Sequence, residues 1–440
     1  MKILAAKYFK EFKCIASECE ASCCDYPWTI SVDQKHYKKI RKFYSNSKKD
    51  KEEFKKNISR IKMTDISKEK LNYAKTNQSS SGTCNFLDND KLCGLIKKSG
   101  ESLLPLTCKN YPRNIKVIPG KKIEAGLELS CPEATRKCLL DSDSHRLVEV
   151  NQEELGSNTL QGVYGIDDYY IREADYIKQY AVNMLQDKRY SLKSRLFMLT
   201  YYCNKTKDFL FKNVLEDPSL HLTKVHQLLE SDGIKDSLDQ QLKEINMPRE
   251  IGMGLLHQCM IIQPAIGGGH SRLLSEMFMD VVFNCFSQIP GRDINDKALI
   301  TSRSDMLGFW NYYLLRKTII NDNFGNRIES RLTQYCTHYW MTNWHTKSDN
   351  LLLHIRQCLM YKAIICFLLY CNPELNIISK KVEDVNIEKY NELIDSVLVK
   401  AVYAFSRDTA NQSGIANLLE KHLDDNQLIE FAPIMLLIDF

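Results

Sequence analysis

The chain has 440 residues, 44% hydrophobic, 10% aromatic and 26% charged, which excludes a single small stapled module, extended disorder and a fibrous repeat. Its net charge of +5 is too small for a polycation built to hold nucleic acid, although residues 1–70 carry 18 Lys and Arg against 10 Asp and Glu and the remainder is mildly acidic. The low counts of glycine (18) and proline (11) lean toward helix.

Ile3–Ala6 is an apolar run far shorter than a signal-peptide core, so no export is expected and the chain is read as cytoplasmic. Lys7–Phe12 is short and mixed, and Trp28–Val32 alternates as a brief strand would. Asp33 is placed to cap a helix over Gln34–Tyr44, where Tyr37, Ile40, Arg41 and Tyr44 share a face. The polar run Asn77–Gly82 reads as a loop that delivers Cys84, and Phe86-Leu87 and Leu92-Cys93 as two extended pieces around a turn. Pro119-Gly120 marks another turn, with Ile123–Leu129 the returning strand of a hairpin. Little apolar burial is expected in this front module, so metal ligation is the expected source of its order.

The acidic, polar stretch 141–165 reads as a linker. Helical periodicity then takes over in Asp168–Asp187, Leu192–Val214, Leu220–Leu229, Arg272–Phe286, Ser304–Asn321, Arg327–Trp344, Asn350–Cys371, Ile387–Phe405 and Gln412–His422. Within the most apolar of these, His354, Arg356, Gln357 and Lys362 argue for a buried helix rather than a membrane span. The expected architecture is mainly α: a cysteine-rich metal-binding module with short β-hairpins over 1–140, a linker over 141–165, and an irregular helical domain over 166–440.

Nine of the 16 cysteines fall between Cys14 and Cys138, whereas Cys358, Cys366 and Cys371 sit in an apolar helix as small hydrophobes. Without export, structural disulfides are not expected. Local groups of soft sulfur joined to distant ones suit a metal site, which makes Cys14, Cys19, Cys23, Cys24, Cys84, Cys93, Cys108 and Cys131 the candidate ligands, with Cys138 trailing. The adjacent Cys23 and Cys24 must lie in a turn and are expected to point into different surroundings. Two Cys₄ zinc sites are one solution, but C-x₂-C pairs are absent. The irregular spacing and the Cys131-Pro132 pair favour a [4Fe–4S] cluster, with zinc as the alternative.

Phe12-Lys13-Cys14, Cys19, Cys23-Cys24, Cys84-Asn85-Phe86-Leu87, Leu92-Cys93, Thr107-Cys108-Lys109-Asn110-Tyr111-Pro112-Arg113 and Leu129-Ser130-Cys131-Pro132-Glu133 together resemble the flagellin lysine-N-methylases. The resemblance covers about the first 140 residues by motif. It implies a protein-lysine N-methyltransferase that uses S-adenosylmethionine, takes flagellin as its protein substrate and carries an iron–sulfur cluster in its cysteine domain. It supplies neither a catalytic base nor donor-binding residues. A non-catalytic module, in which the metal centre orders a protein-docking surface, is the alternative; neither nucleic acid nor membrane is an expected partner.

Methylating lysine requires a neutral amine, which a site can favour by desolvation or by a base. Aromatic walls suit both the amine and a sulfonium donor, and the candidates are Tyr169-Tyr170, Tyr201-Tyr202, Phe309-Trp310 with Tyr312-Tyr313, and Tyr339-Trp340 with Trp344, each also readable as core. Gly267-Gly268-Gly269-His270 lacks the preceding strand of a nucleotide loop. Cys19 and Cys23 begin a radical-type spacing that Tyr26 fails to complete, so the displacement is expected to be polar. The ten histidines show no ligand spacing, apart from His338 and His345 seven apart on one possible helix face.

Overall fold

A computed structural model describes residues 3–61, 72–118, 122–151, 153–155, 161–162, 168–206, 218–244, 252–254, 272–289, 303–343, 351–379, 386–411, 434 and 437–440. The expected Pro119-Gly120 turn, the glycine run at 267–269 and the helix at 412–422 lie outside them. The fold is mainly α with a few short strands. It divides into unit 1, Met1–Lys137 with Arg146–Val163, and unit 2, Cys138–His145 with Tyr164–Phe440.

Unit 1 opens with β1 (Ile3–Ala6) and α1 (Lys7–Glu11), a short helix that buries Tyr8 and Phe9. It continues through β2 (Ser31–Val32), α2 (Gln34–Phe43), α3 (Lys48–Asn57), β3 (Ile58–Arg60) and β4 (Ala74–Thr76). Next come α4 (Gly94–Ser99), α5 (Leu106–Asn110), β5 (Arg113–Ile118) and β6 (Lys122–Leu127). The last of its elements are α6 (Pro132–Leu139), whose final two residues belong to unit 2, β7 (Leu147–Val150) and β8 (Gln161–Gly162). The expected hairpin forms, with Arg113 opposite Leu127 and Ile118 opposite Lys122. β2, β4 and β3 make a second small antiparallel sheet. Leu147–Val150, inside the acidic stretch, pairs antiparallel with β1.

Asp33 caps α2 as its position implies, accepting from the His36 N–H at 3.0 Å. The same carboxylate accepts from the Leu106 N–H at 3.2 Å and meets the His36 ring at 2.8 Å. Burial opposes its charge, but these donors hold its pKa below the ordinary aspartate value. Gly82 has φ +87° and a Cβ there would stand 2.5 Å from the Pro27 Cβ, so only glycine lets the loop before Cys84 pass so close. The expectation of little apolar burial is corrected: Ile30, Val32, Ile40, Tyr44, Phe54, Ile58, Ala74, Phe86, Leu95, Leu103 and Leu104 form a core around which the thiols pack. Each short segment contributes only one or two of these residues, so no single stretch of sequence shows a marked apolar face.

Unit 2 is built from α7 (Asp168–Leu185), α8 (Leu192–Thr206), α9 (Pro218–Glu230), α10 (Ile234–Glu244), α11 (Arg272–Ser287), α12 (Arg303–Asn343), α13 (Leu351–Tyr370) and α14 (Ile387–Asn411). The two helices expected at 304–321 and 327–344 are one helix of 41 residues. Asp322-Asn323-Phe324-Gly325-Asn326 reads locally as a break, yet Phe324 and Ile328 are buried, and tertiary packing overrides the weak propensity. α13 is long and apolar enough to cross a membrane by length and composition, and every side chain but Leu353 is buried within the protein. Two of its polar groups reach neighbouring elements: Lys362 donates to Ile438 O at 2.9 Å, and Gln357 accepts from Tyr339 Oη at 2.6 Å. Arg327 and Arg331 both reach the carboxylate of Asp395 on α14, at 2.7 and 3.1 Å. Partly buried, multiply bonded ion pairs of this kind fix register between helices.

Candidate metal centre and helical aromatic cluster

In unit 1 the turn after Glu20 carries Cys23 and Cys24, held by Trp28 Nε1 donating to Cys23 O at 2.8 Å and by the Cys84 N–H donating to Cys24 O at 2.8 Å. The two thiols hydrogen-bond each other, so they share one surrounding and the expectation that they diverge is corrected. A turn lets neighbouring residues converge where a strand would alternate them. Cys24 is held well above the ordinary thiol value by that bond, by burial and by the nearby Cys23, Cys108 and Cys84 sulfurs.

Cys84 follows the Gly82 loop, and Cys93 follows the turn in which Asp88 N donates to Leu92 O at 3.0 Å. Burial raises both thiols, while backbone N–H groups pull them down: that of Phe86 for Cys84, those of Ile96 and Leu95 for Cys93 at the start of α4. Cys108 on α5 is raised by burial and then by the Cys23, Cys93 and Cys84 charges. Cys131 stands at the start of α6; burial pushes it up to about 12 against the Ala134 and Glu133 N–H groups, with Cys19 and Cys23 adding to the rise. Five sulfurs, Cys23, Cys24, Cys84, Cys93 and Cys108, thus lie within one another's fields, with Cys19 and Cys131 at the edge of Cys23. Cys14 is exposed, and its charge is felt by Arg113.

This donor set fits a thiophilic metal group. Several buried thiols raise one another's pKa because their negative forms repel, and a bound cation removes that penalty. Backbone N–H groups already aimed at Cys84, Cys93 and Cys131 favour the thiolate form that ligation requires. Cys138, by contrast, belongs to unit 2 and faces His145, with Sγ 3.7 Å from Nε2.

The aromatic pairs have separate fates. Phe309, Trp310 and Tyr313 are buried, with Trp310 and Tyr313 packed on Phe440, and Tyr339 and Trp340 enclose His354, so these are core. The side chains of Tyr169 and Tyr170, and all of Trp344, lie outside the described residues. Tyr202 joins a cluster that the sequence does not announce: Tyr180 stacks on His226 at 3.7 Å, and the His226 ring meets Tyr176 Oη at 2.7 Å and Tyr202 Oη at 3.0 Å. Tyr180 Oη donates to Glu230 at 3.1 Å. Burial pulls His226 down to about 4, against the opposing Glu230 charge, so its imidazole is neutral near pH 7. Tyr176 is exposed and opens the cluster to solvent. The i, i+4 pairs Tyr176/Tyr180 and His226/Glu230 are the sequence signal, each reading alone as an ordinary helix face.

The FliB lysine N-methylase C-terminal domain matches residues 178–437, more than half of the chain and all of it within unit 2. The flagellar biosynthetic protein FliU of Salmonella muenchen is 29% identical over 143 residues, 32% of this chain and 79% of that protein. A lysine-N-methylase of Salmonella typhimurium is also 29% identical over 143 residues, 32% of this chain and 33% of that protein, and one from Salmonella choleraesuis matches to the same extent. The similarity therefore spans about a third of the length of these two lysine-N-methylases. No solved structure matches the chain. With the domain match running from α7 to the carboxy-terminal turn beyond α14, the chain belongs to the FliB lysine N-methylase family.

Proposed function

We propose that the protein transfers the methyl group of S-adenosylmethionine to surface lysines of flagellin, in the cytoplasm. The observation that carries this reading is the FliB domain match over 178–437, and the flagellar biosynthetic name of one relative supports flagellin as the substrate. In the reaction the lysine nitrogen lone pair attacks the methyl carbon, the methyl–sulfur bond breaks with its electrons leaving on sulfur, and the resulting ammonium then returns one proton to solvent or a base. Methyl transfer is assigned to 166–440, with 141–165 as the connecting stretch. The Tyr176–Tyr180–Tyr202–His226 cluster is the candidate place for the amine, because phenol rings around an uncharged imidazole desolvate a lysine and so favour its neutral form, the released proton going to solvent.

The metal group of residues 1–140 is proposed to be a [4Fe–4S] cluster held by a subset of Cys23, Cys24, Cys84, Cys93 and Cys108, with Cys14, Cys19 and Cys131 as the remaining candidates. Support comes from the spread of the thiols: among the described residues, no three of these sulfurs stand within 4.8 Å of one another, a spacing wider than one tetrahedral zinc gathers. Bound there, the cluster would tie distant segments of the module together. The test is anaerobic purification with iron and sulfide analysis, followed by incubation with methyl-labelled S-adenosylmethionine and flagellin. Label on flagellin lysines is expected, reduced by His226→Gln mainly in kcat; no label with a folded, iron-loaded protein defeats the enzyme reading in favour of a binding module.

A further inference from the structure

We infer that unit 2 contains a zinc site formed by Cys138, His145 and His338, separate from the thiol group of unit 1. Their ligand atoms all lie within 4.8 Å of one another, and all three residues are buried. Among the described residues this is the one group of three His, Cys, Asp or Glu that converges so closely. The residues come from three places: the last turn of α6, the turn after it, and α12, far along the chain.

The groups behind the ligands distinguish this trio from a chance meeting of buried side chains. Gln334 Nε2 donates to Ser142 O at 3.0 Å, which fixes the orientation of its amide and leaves its Oε1 aimed at His145 Nδ1, 2.6 Å away. An amide oxygen only accepts, so Nδ1 carries the proton of His145, and Nε2 presents its lone pair toward Cys138 Sγ at 3.7 Å. A tetrahedral zinc with ordinary bond lengths sets sulfur and nitrogen ligands about 3.6 Å apart. A carboxamide or carbonyl that holds the far nitrogen of a ligating histidine is the usual support for such a metal. Ser144 Oγ lies 3.0 Å from the same Nδ1 and donates to Cys138 O at 2.7 Å, so one hydroxyl couples the turn to the cysteine.

α12 supplies both the ligand His338 and the support Gln334, four residues apart on one helix face. Thr342 Oγ1, one further turn along, donates to His338 O at 2.8 Å and lies 3.4 Å from His338 Nε2. One sulfur and two imidazoles form a borderline donor set that suits zinc, and three protein ligands leave a fourth tetrahedral position. Bound there, zinc would fasten the Cys138–His145 turn to α12 within unit 2.

The full chain, purified with iron and zinc supplied and analysed for both metals, should hold one zinc per molecule beyond any in the front cysteines. Cys138→Ser and His338→Gln should each remove that equivalent and leave the iron content unchanged. Gln334→Leu, which keeps all three ligands, should weaken zinc about 10–100-fold. X-ray absorption at the zinc edge of the wild type should show one sulfur at about 2.3 Å with nitrogen or oxygen at about 2.0–2.1 Å. An all-sulfur shell, a zinc content unaffected by these substitutions, copper or iron in place of zinc, or a wild type that stays zinc-free under saturating zinc would each overturn the assignment.

Discussion

In unit 1 the strands are two to six residues long, and the core takes one or two side chains from each of many short segments. In unit 2, α13 is buried on every face except at Leu353, inside helices that run up to 41 residues. Helices of that length satisfy their own backbone and need only side-chain packing from their neighbours, so unit 2 gains its order mainly from apolar burial. Unit 1 has many irregular loops for its size, and its thiols, gathered against the small core, would supply through the proposed metal group the cross-links that its strands do not. The two units should therefore respond to different insults.

Removal of the metal group should have the largest effect and confine it to one unit. Chelated or oxidised protein is expected to become sensitive to limited proteolysis within 3–137 while a fragment containing α7 to α14 resists. Equal resistance of metal-free and metal-loaded protein across unit 1 would erase the distinction between the units.

Trp340→Ala probes the helical unit in turn. Trp340 is fully buried on α12, edge-on to His354 at 4.5 Å, and its truncation should cost about 3–5 kcal/mol in urea unfolding of unit 2. The loss should be the same with and without the metal of unit 1. Its indole N–H has no partner among the described residues, so Trp340→Phe should cost less. A loss that depends on that metal would show the units to be energetically one.

A smaller effect is expected from pH. His226 has its pKa lowered from 6.5 to about 4 in the folded protein, so between those values the unfolded chain binds a proton that the folded chain refuses. Its contribution is present above pH 6.5 and lost as pH falls toward 4, at up to about 1.4 kcal/mol per unit. Glu230 and the phenols of Tyr176, Tyr180 and Tyr202 face the ring and remain in place in His226→Phe, which should flatten the dependence of unit 2 over this window. An unchanged slope in that variant would assign the acid sensitivity to other groups.

The mainly α character, the Asp33 cap, the Arg113–Leu127 hairpin and most helices of unit 2 were legible in the sequence, because caps, alternation and helical period are written within a few neighbouring residues. The cysteine spacing likewise singled out Cys23, Cys24, Cys84, Cys93 and Cys108, which the fold brings near one another, together with Cys14, which is exposed. Tertiary structure alone decided that Asp322–Asn326 continues a helix, that Cys23 and Cys24 face each other, and that scattered residues give unit 1 a core. It also brought His226 among three tyrosines and His338 to Cys138 and His145. Most of these meetings join residues that are distant in the chain, and their geometry follows from which helix faces and turns pack together, a choice that no local pattern encodes.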